Sequence, residues 1–199
     1  MIQIEEILKS IPEKHGFHKN TTSLKWKKDF FNFFIDKNLD KCLEIGTCDG
    51  VTTKILSKIF KETWSIEFNL KRLNRAKEFC KDENNINFIH GDAYNDITYN
   101  NFPTLFDVAI IDCVHEYDNV MVDINRALSY FNNKKIYLVF DDYGHPQHPG
   151  VKKAIDDSIS QGLKLEKFIG EEPGFTVTRS DNTSFTLSSK EGIILSYEI

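Results

Sequence analysis

Acidic and glycine residues recur where short apolar segments of this sequence end. The segment LEIGTCDGVTT places Glu44 next to an apolar pair and puts Gly46 and Gly50 in the loop that follows. A glycine loop between a strand and a helix lets the backbone approach a ligand closely. Its spacing, E-x-G-x-x-x-G, differs from the G-x-G-x-x-G of dinucleotide sites and lacks the Lys-Ser/Thr of a phosphate-binding loop. The loop alone identifies no ligand, because many nucleotide-binding folds contain such turns.

Two more acidic residues follow later apolar segments. Glu67, in SIEFN, lies about 20 residues after the glycine loop, the separation at which a carboxylate can accept hydrogen bonds from two ribose hydroxyls. Asp92, in HGDAY, could accept from an adenine amino group. The structural alternatives are a surface helix cap for Glu67 and an ordinary turn for Asp92. Together with Glu44, they favour a ligand that presents ribose hydroxyls, an adenine amine and an ammonium group, and they would repel a pyrophosphate.

A second group of residues combines carboxylates with histidines. Asp112 ends the apolar run FDVAIID, and the pair Asp141 and Asp142 ends KKIYLVFDD. Adjacent carboxylates at the end of a buried strand repel each other, and a hard cation such as Mg2+ relieves that repulsion. A turn with a helix cap is the structural alternative. His145 and His148 could bind a transition metal beside this pair, but the flanking prolines favour a stiff loop in which His148 precedes a helix.

Strand and helix patterns alternate along the chain and place these residues at strand ends. Apolar segments predict five strands at KCLEIG, TWSIEF, INFIHGDA, FDVAIIDCV and KKIYLVFDDY. Helices are predicted at VTTKILSKIF, after a cap at Asn69, around Val120, Ile124, Leu128 and Phe131, and from Pro149 to Gly162. Four later segments, LEKFIG, FTVTRS, SFTLSS and GIILSYEI, predict short strands that close the sheet in antiparallel orientation.

This order of elements predicts an α/β protein with a Rossmann-like, doubly wound, mainly parallel sheet and helices on both faces. Residues 1–38 are expected to form an N-terminal helical cover, and residues 39–199 the main domain as a single structural unit. Within the cover, the lysines from Lys19 to Lys28 are predicted to be solvated and the aromatic residues from Phe30 to Phe34 to be buried. Ligands bind such sheets beyond the carboxyl ends of the strands, where the acids lie.

From Lys41 to Ile199 the sequence resembles the class I S-adenosylmethionine-dependent methyltransferases. Two blocks resemble the metal-dependent small-molecule O-methyltransferases within that superfamily. That group has a strand ending ID-G-D-H-x-Y and a helix with an Asp, then a strand ending DDY-G and a helix opening PGVKKA. This sequence has IDCVHEYDNVMVDI and FDDYGHPQHPGVKKAID. The second block matches closely, whereas the first departs from the pattern at Cys113 and Val114.

The resemblance implies a role for each strand-end residue. The metal ligands would be Asp112, Asp141 and Asp142, which would bind Mg2+ or another divalent cation. Asp112 would also contribute to cofactor binding and to catalysis. The S-adenosylmethionine site would comprise Glu44, Gly46, Thr47 and Gly50 at the methionine end, Glu67 and Phe68 at the ribose, and Asp92 and Ala93 at the adenine.

The resemblance also implies how the reaction would proceed. The metal would chelate two neighbouring hydroxyls of the acceptor and lower the pKa of one of them. In relatives with ID-G-D the second Asp is the expected base, but here Val114 occupies that position. We predict that His115 replaces it, because it follows Asp112 by three residues and its ordinary pKa near ~6.5 suits proton abstraction at neutral pH.

Composition narrows the classes of partner. The net charge of −5 argues against a nucleic-acid partner, because nucleic-acid affinity depends on clustered Lys and Arg. No apolar run is long enough to cross a membrane, and the N-terminal residues lack the features of a signal peptide, so a cytoplasmic protein is expected. Four cysteines without a CxxC pair are predicted to be reduced and buried.

The leading hypothesis is therefore metal-assisted transfer of a methyl group to a hydroxyl of a small molecule, either a sugar or a catechol-like ring. One alternative, suggested by Val114, is a regulatory protein that binds the cofactor without catalysis. Another is different chemistry on the same cofactor, such as its cleavage. A nicotinamide enzyme is a more distant alternative. The only expected partner is the small-molecule acceptor, with a homodimer through the N-terminal aromatic cluster left open.

Overall fold

The computed structural model describes residues 4–9, 22–100, 102, 105–130, 135–178 and 183–198. The helices of this part of the chain are α1 (Ile4–Lys9), α2 (Leu24–Phe34), α3 (Val51–Ile59), α4 (Leu70–Phe79), α5 (Tyr117–Ser129) and α6 (Pro149–Ser160), with a short 3-10 helix at Asp96–Tyr99. The strands are β1 (Lys41–Ile45), β2 (Glu62–Glu67), β3 (Ile86–His90), β4 (Val108–Ile111), β5 (Lys135–Phe140), β6 (Lys164–Ile169), β7 (Thr176–Thr178), β8 (Ser184–Thr186) and β9 (Gly192–Glu198).

Seven strands form one sheet in the order β3-β2-β1-β4-β5-β9-β6. Strands β1 to β5 pair in parallel, and β9 pairs antiparallel to both β5 and β6. The predicted Rossmann-like, mainly parallel sheet is confirmed. The predicted antiparallel C-terminal strands are confirmed for β6 and β9, which pair antiparallel to each other within this sheet. The prediction that all four late strands join the sheet is wrong for β7 and β8, which form a separate two-stranded hairpin.

The central strands are formed by continuous apolar runs because both faces of the sheet are covered. All four residues of β4 and the last five of β5 are buried. One face of the sheet packs against α5 and α6 in the larger core cluster, and the other packs against α2 and α3. This double burial holds the strand ends, and the residues that follow them, in fixed positions.

Helix α2 packs its aromatic residues directly onto the sheet. Trp26, Phe30 and Phe34 are buried against β4, β5 and β9, and the rings of Trp26 and Phe30 stack 5.2 Å apart. The predicted burial of this aromatic cluster is confirmed. The prediction that the nearby lysines are solvated is wrong for Lys27, which is fully buried, whereas Lys19 lies outside the described residues. The division of the chain at residue 38 stays a prediction.

The predicted helix boundaries agree closely with the structure. The side chain of Asn69 accepts hydrogen bonds from the backbone of Lys71 and Arg72 and so caps α4. Pro149 is the first residue of α6, and Gly162 lies two residues beyond its end with a φ of +119°. Helix α5 ends at Ser129, and Phe131 lies outside the described residues.

The cysteines fall into two groups. Cys42 and Cys80 are buried as predicted, but Cys48 and Cys113 are only half-buried, because they lie on loops that follow strand ends. All four are free thiols. No helix among the described residues is both long and apolar enough to span a membrane.

Candidate active site

A cavity of about 780 Å³ opens at the carboxyl ends of the parallel strands. Each of the first five strands contributes to its wall at the point where the strand ends. These contributions are Gly46 after β1, Glu67 at the end of β2, Asp92 after β3, Asp112 after β4 and Asp141 after β5. The sheet therefore brings together residues that are far apart in sequence.

Gly46 allows the loop after β1 to lie directly against the end of β4. Its φ is +107°, and a Cβ atom at this position would stand 1.8 Å from the carbonyl oxygen of Asp112. The backbone amides of Gly46 and Thr47 both donate to the carbonyl of Ile66, at 3.1 Å each. These contacts hold the loop against β2 and leave a backbone surface that a ligand can approach.

Behind this loop lies a buried polar network. Glu44 Oε2 accepts hydrogen bonds from Thr53 Oγ1 at 2.6 Å and Ser65 Oγ at 2.5 Å, and burial raises the pKa of Glu44 to about 8. Thr47 Oγ1 lies 2.6 Å from Ser65 Oγ, and Gly50, with a φ of +82°, immediately precedes α3. The sequence grouped Glu44, Thr47 and Gly50 with the cofactor contacts. The structure places them behind the cavity wall, where they support the loop.

The second and third strand ends present carboxylates to the cavity. Glu67 is 8% exposed, and its two oxygens accept hydrogen bonds from the backbone amides of Cys48 and Asn69, both at 2.8 Å. Each carboxylate oxygen can accept a further hydrogen bond, so Glu67 can bind two neighbouring hydroxyls. Asp92 accepts from the backbone amide of Tyr94 at 2.9 Å. Two further predicted cofactor contacts also line the cavity, namely Phe68, which is 73% exposed, and Ala93, which is buried.

The fourth and fifth strand ends form an acidic cluster. Asp112, Asp141 and Asp142 each contribute an oxygen that lies within 4.8 Å of the other two. Burial, together with the charges of the other two carboxylates, raises the pKa of Asp141 well above its ordinary value. Asp141 Oδ1 is buried and has no hydrogen-bond partner among the described residues. An oxygen-rich, anionic cluster with an unsatisfied buried oxygen fits a hard divalent cation.

His115 lies beside this cluster and lines the same cavity. Its Nε2 is 3.1 Å from Asp142 Oδ2 and 3.6 Å from Asp112 Oδ1. Burial lowers the pKa of His115, but the neighbouring carboxylates of Asp112 and Asp142 outweigh it, so the pKa rises above 6.5. Val114 is 38% exposed in the cavity wall. His115 is thus the basic side chain that the loop after β4 brings to the acids.

The two later histidines also lie in the cavity wall. His148 immediately precedes α6, as predicted, and its Nε2 is 4.0 Å from Asp142 Oδ2. The ring centroids of His115 and His148 are 4.2 Å apart, and those of His145 and His148 are also 4.2 Å apart. The segment GHPQHPG was predicted to be a stiff loop before a helix. The sequence did not indicate that this loop lies beside the acidic cluster.

Sequence reasoning missed Lys27 and Glu191. Lys27 Nζ donates to Thr22 Oγ1 at 2.7 Å; burial lowers the pKa of Lys27 to about 8, against the opposing charges of Asp141, Glu191 and Asp112. Glu191 lines the cavity and accepts hydrogen bonds from the backbone amides of Ser23, at 2.7 Å, and Glu171, at 2.8 Å. These contacts join segments up to 168 residues apart, so no local pattern signals them.

A group of apolar residues lines another part of the same cavity. It is contributed by the hairpin of β7 and β8 and by the residues that flank it. Its members are Phe175, Val177, Phe185 and Leu187. The ring centroids of Phe185 and His145 are 3.9 Å apart, so this wall extends to the edge of the histidine group. The sequence predicted these strands without placing them at the cavity.

Comparison with solved structures identifies the class of fold as the Rossmann-like methyltransferase fold. The chain superposes over 98% of its length on 90% of an O-methyltransferase from Bacillus cereus in complex with SAH, with a TM-score of 0.70 and 15% identity. It matches the O-methyltransferase TomG from Streptomyces achromogenes, in complex with SAM, over 99% of this chain and 91% of that chain, with a TM-score of 0.66 and 14% identity. The tRNA (m1A58) methyltransferase TrmI from Aquifex aeolicus matches over 100% of this chain and 76% of that one, with a TM-score of 0.64 and 18% identity.

At these identities the structural likeness establishes the fold, and the sequence establishes the family. Residues 43–143, which make up half of the chain, match a family described as a methyltransferase domain. The protein therefore belongs to this methyltransferase-domain family. The matched segment contains all five strand ends that contribute to the cavity. No curated protein sequence matches the chain significantly.

Proposed function

We propose that the protein transfers a methyl group from S-adenosylmethionine to a hydroxyl of a small acceptor, with the assistance of a divalent cation. The observation that carries this proposal is the division of one cavity into two halves. The ends of β1 to β3 supply a glycine loop and the carboxylates of Glu67 and Asp92. The ends of β4 and β5 supply three aspartates and His115.

The first half of the cavity fits S-adenosylmethionine, which supplies an electrophilic methyl group. The backbone of Gly46, which lines the cavity, would adjoin the methionine end, and the two carboxylate oxygens of Glu67 suit the ribose hydroxyls. Asp92 and Ala93 would adjoin the adenine, with Phe68 at the rim. The fold likeness to TomG and to the Bacillus cereus enzyme, solved in complex with SAM and SAH respectively, supports this assignment.

The second half fits a divalent cation such as Mg2+. Asp112, Asp141 and Asp142 would hold it, and the buried Oδ1 of Asp141 would gain a partner there. A bound divalent cation supplies Lewis acidity, which lowers the pKa of a hydroxyl that it contacts. Buried Lys27 would limit the repulsion among the three carboxylates when they are charged.

His115 is the residue that would take the proton from the acceptor hydroxyl. Its Nε2 lies beside the carboxylates of Asp142 and Asp112, and in a neutral ring with the proton on Nδ1 this nitrogen has the lone pair that would accept the proton. Asp142, 3.1 Å away, would help to stabilise the imidazolium that forms. These contacts favour an active enzyme in which His115 takes over the role of the acid that Val114 replaces.

The apolar part of the cavity wall indicates the kind of acceptor. Phe175 and Phe185 would contact an apolar face of the bound molecule, while the acidic half would bind its hydroxyls. This combination favours a catechol-like ring over a sugar, because both faces of an aromatic ring are wholly apolar, whereas most substituents of a sugar ring are hydroxyls. The volume of about 780 Å³, part of which the cofactor would fill, limits the acceptor to a small molecule.

The double variant Asp141→Ala/Asp142→Ala tests the proposal. Release of S-adenosylhomocysteine would be measured with Mg2+ and a panel of catechols and sugars, and S-adenosylmethionine affinity by calorimetry. We expect turnover to fall at least 1000-fold, because the cation site is lost, and cofactor affinity to change less than threefold. Asp36→Ala, an exposed aspartate at the opposite edge of the sheet, is the matched control. Loss of cofactor binding in the double variant would refute the metal assignment.

A second candidate, a cofactor-binding protein without catalysis, is favoured by one observation, the presence of Val114 where relatives have an acid. The variant Val114→Asp separates the two candidates. If the wild-type protein is active and the variant changes its rate little, His115 is the base. Activity that appears only in the variant would instead identify a degenerate enzyme. Thermal-shift titration with S-adenosylmethionine and NAD would check the cofactor independently.

A further inference from the structure

We infer that the cavity contains a second metal site, formed by His115, Asp142 and His148, that binds a transition metal ion such as Zn2+. The site shares Asp142 with the acidic cluster and differs from it in chemistry, because two of its three donors are imidazole nitrogens. Its existence is independent of methyl transfer. Its consequence, inhibition by Zn2+, rests on the proposed function.

The distances fit a transition metal. One donor atom of each of the three residues lies within 4.8 Å of the other two. His115 Nε2 is 3.1 Å from Asp142 Oδ2, and His148 Nε2 is 4.0 Å from the same oxygen. Zn–N and Zn–O bonds of about 2.0–2.2 Å in a tetrahedral site place donor atoms roughly 3.3–3.6 Å apart. The two distances to Asp142 lie on either side of that range, and all three donor atoms lie within 4.8 Å of one another, so rotamer adjustments would complete the site.

The backbone holds the two histidines at this separation. The amide of His148 donates to the carbonyl of His145 at 3.0 Å, and the amide of His145 donates to the carbonyl of Asp142 at 3.1 Å. At Gly150 a Cβ atom would stand 2.7 Å from the carbonyl of His115, so the start of α6 lies directly against the loop that carries His115. The two donor-bearing loops are thus in fixed contact, and the site is largely preformed.

His145 does not belong to this group of donor atoms. Its Nδ1 accepts a hydrogen bond from the backbone amide of Gln147 at 3.1 Å, and its ring packs on Phe185. By contrast, Nε2 of His115 is buried without a hydrogen-bond partner among the described residues. The side chains of His115, Asp142 and His148 retain between 20% and 29% of their exposure, which leaves a path from the cavity for an ion.

The two neighbouring sites would prefer different ions. Three carboxylates suit Mg2+, which prefers oxygen ligands, whereas two imidazoles and one carboxylate suit Zn2+ or Co2+. An ion bound to His115 Nε2 occupies the lone pair that would accept the proton, and it engages Asp142 as well. Zn2+ would therefore inhibit methyl transfer both by blocking the base and by competing for one ligand of the Mg2+ site.

Co2+ binding to the full chain tests the site without reference to activity. We expect wild-type protein to give the visible absorption of Co2+ with nitrogen ligands, and Zn2+ to displace the ion. His148→Ala should weaken Zn2+ binding at least tenfold by calorimetry, whereas His90→Ala, which removes a histidine outside the cavity wall, should not. Equal Zn2+ affinity in wild type and His148→Ala would overturn the proposal.

A second variant guards against misfolding. His148 precedes α6, and Asn is a favourable residue at that position, so His148→Asn retains the start of the helix while changing the donor. We expect an unchanged melting temperature and, measured against the variant's own turnover without Zn2+, at least a tenfold higher Zn2+ concentration for half-inhibition. Zn2+ binding in a protein without turnover would refute the proposed function and leave this site intact. Turnover with unaltered Zn2+ inhibition in His148→Asn would refute the site.

Discussion

At Gly46 the loop after β1 and the end of β4 are too close for any side chain. A methyl group there would stand 1.8 Å from the carbonyl oxygen of Asp112, and the φ of +107° is itself unfavourable for other residues. Relief of this contact requires the two strand ends to separate. Asp112 also belongs to the acidic cluster. A displacement of the loop after β1 at this contact would therefore also displace a residue of the candidate metal site.

The variant Gly46→Ala should therefore lower S-adenosylmethionine affinity more than 100-fold and reduce the melting temperature. Gly162→Ala is a matched control, because Gly162 has a similar φ of +119° and a Cβ atom added there would meet no atom within 4 Å. The control should cost about 1–2 kcal/mol of stability and leave cofactor affinity unchanged. Similar affinities for the two variants would show that the close approach is unimportant.

The raised pKa of Glu44 predicts how the stability of the protein changes with pH. Its pKa in the folded protein, about 8, lies above the ordinary value of 4.5, so the folded state binds more protons than the unfolded state between those pH values. Stability contributed by the protonated group is therefore lost as pH rises from about 4.5 to about 8. One pKa unit corresponds to about 1.4 kcal/mol, so the effect amounts to a few kcal/mol.

Urea unfolding at pH 5 and pH 9 checks this prediction. The free energy of unfolding of Glu44→Gln should fall less over this interval than that of the wild type, because the substituted amide does not titrate. Glu78→Gln, on the exposed face of α4, should follow the wild type. A wild-type protein and a Glu44→Gln variant with parallel pH profiles would contradict the assigned burial effect.

The acids at the strand ends could be predicted from the sequence, because such a prediction needs only the end of an apolar segment and an acidic residue after it. Asp112, Asp141 and His115 were placed correctly at one cavity for this reason. Lys27 and Glu191 were missed, since their roles arise from contacts between α2 and the start of β9, which no local spacing encodes. Glu44 was predicted to contact the cofactor; the structure shows it buried and hydrogen-bonded to Thr53 and Ser65, contacts that the sequence does not indicate.

At the scale of elements, the apolar runs of β4 and β5 identified buried parallel strands without ambiguity. For β7 and β8 the strands could be predicted from the sequence, but their pairing could not. Their residues alternate between polar and apolar, which predicted strands, but the pairing partner depends on where the hairpin lies in space. The hairpin lies over the cavity and adds Val177 and Phe185 to its wall. This part of the cavity wall therefore belongs to a hairpin that is not part of the main sheet.

Polar substitutions in this part of the cavity wall should weaken binding of the acceptor and leave binding of the cofactor unchanged. For Val177→Ser/Phe185→Ser we expect the KM for a catechol acceptor to rise at least tenfold, with S-adenosylmethionine affinity unchanged, because apolar contact with the ring is lost. Thr176→Ser/Thr186→Ser, on the outer side of the same strands, provides the control. An unaltered KM would place the acceptor elsewhere in the cavity.

At the scale of the whole molecule, α2 belongs to the same core as the sheet. Deleting residues 1–38 would uncover the surface that Trp26, Phe30 and Phe34 bury. Loss of one large aromatic core side chain costs about 3–5 kcal/mol, and whole domains have only about 5–15 kcal/mol of stability. We therefore expect residues 39–199 alone to be unfolded or aggregated. The measurement is urea unfolding, with the exposed α2 variant Asn32→Ala as control, and a cooperative transition in the truncated chain would contradict the expectation.

The position of β9 has a consequence for the order in which the molecule is built. Strand β9 follows every other element in the chain, yet it lies inside the sheet, paired with β5 on one side and β6 on the other. During synthesis, the edge of β5 cannot pair with β9 until residues 192–198 have left the ribosome. Glu191, which joins the start of β9 to Ser23 and to the cavity, leaves the ribosome just before them. The cavity wall is therefore complete only after β9 has been made, and a shorter nascent chain would expose an unpaired strand edge that can pair with other chains.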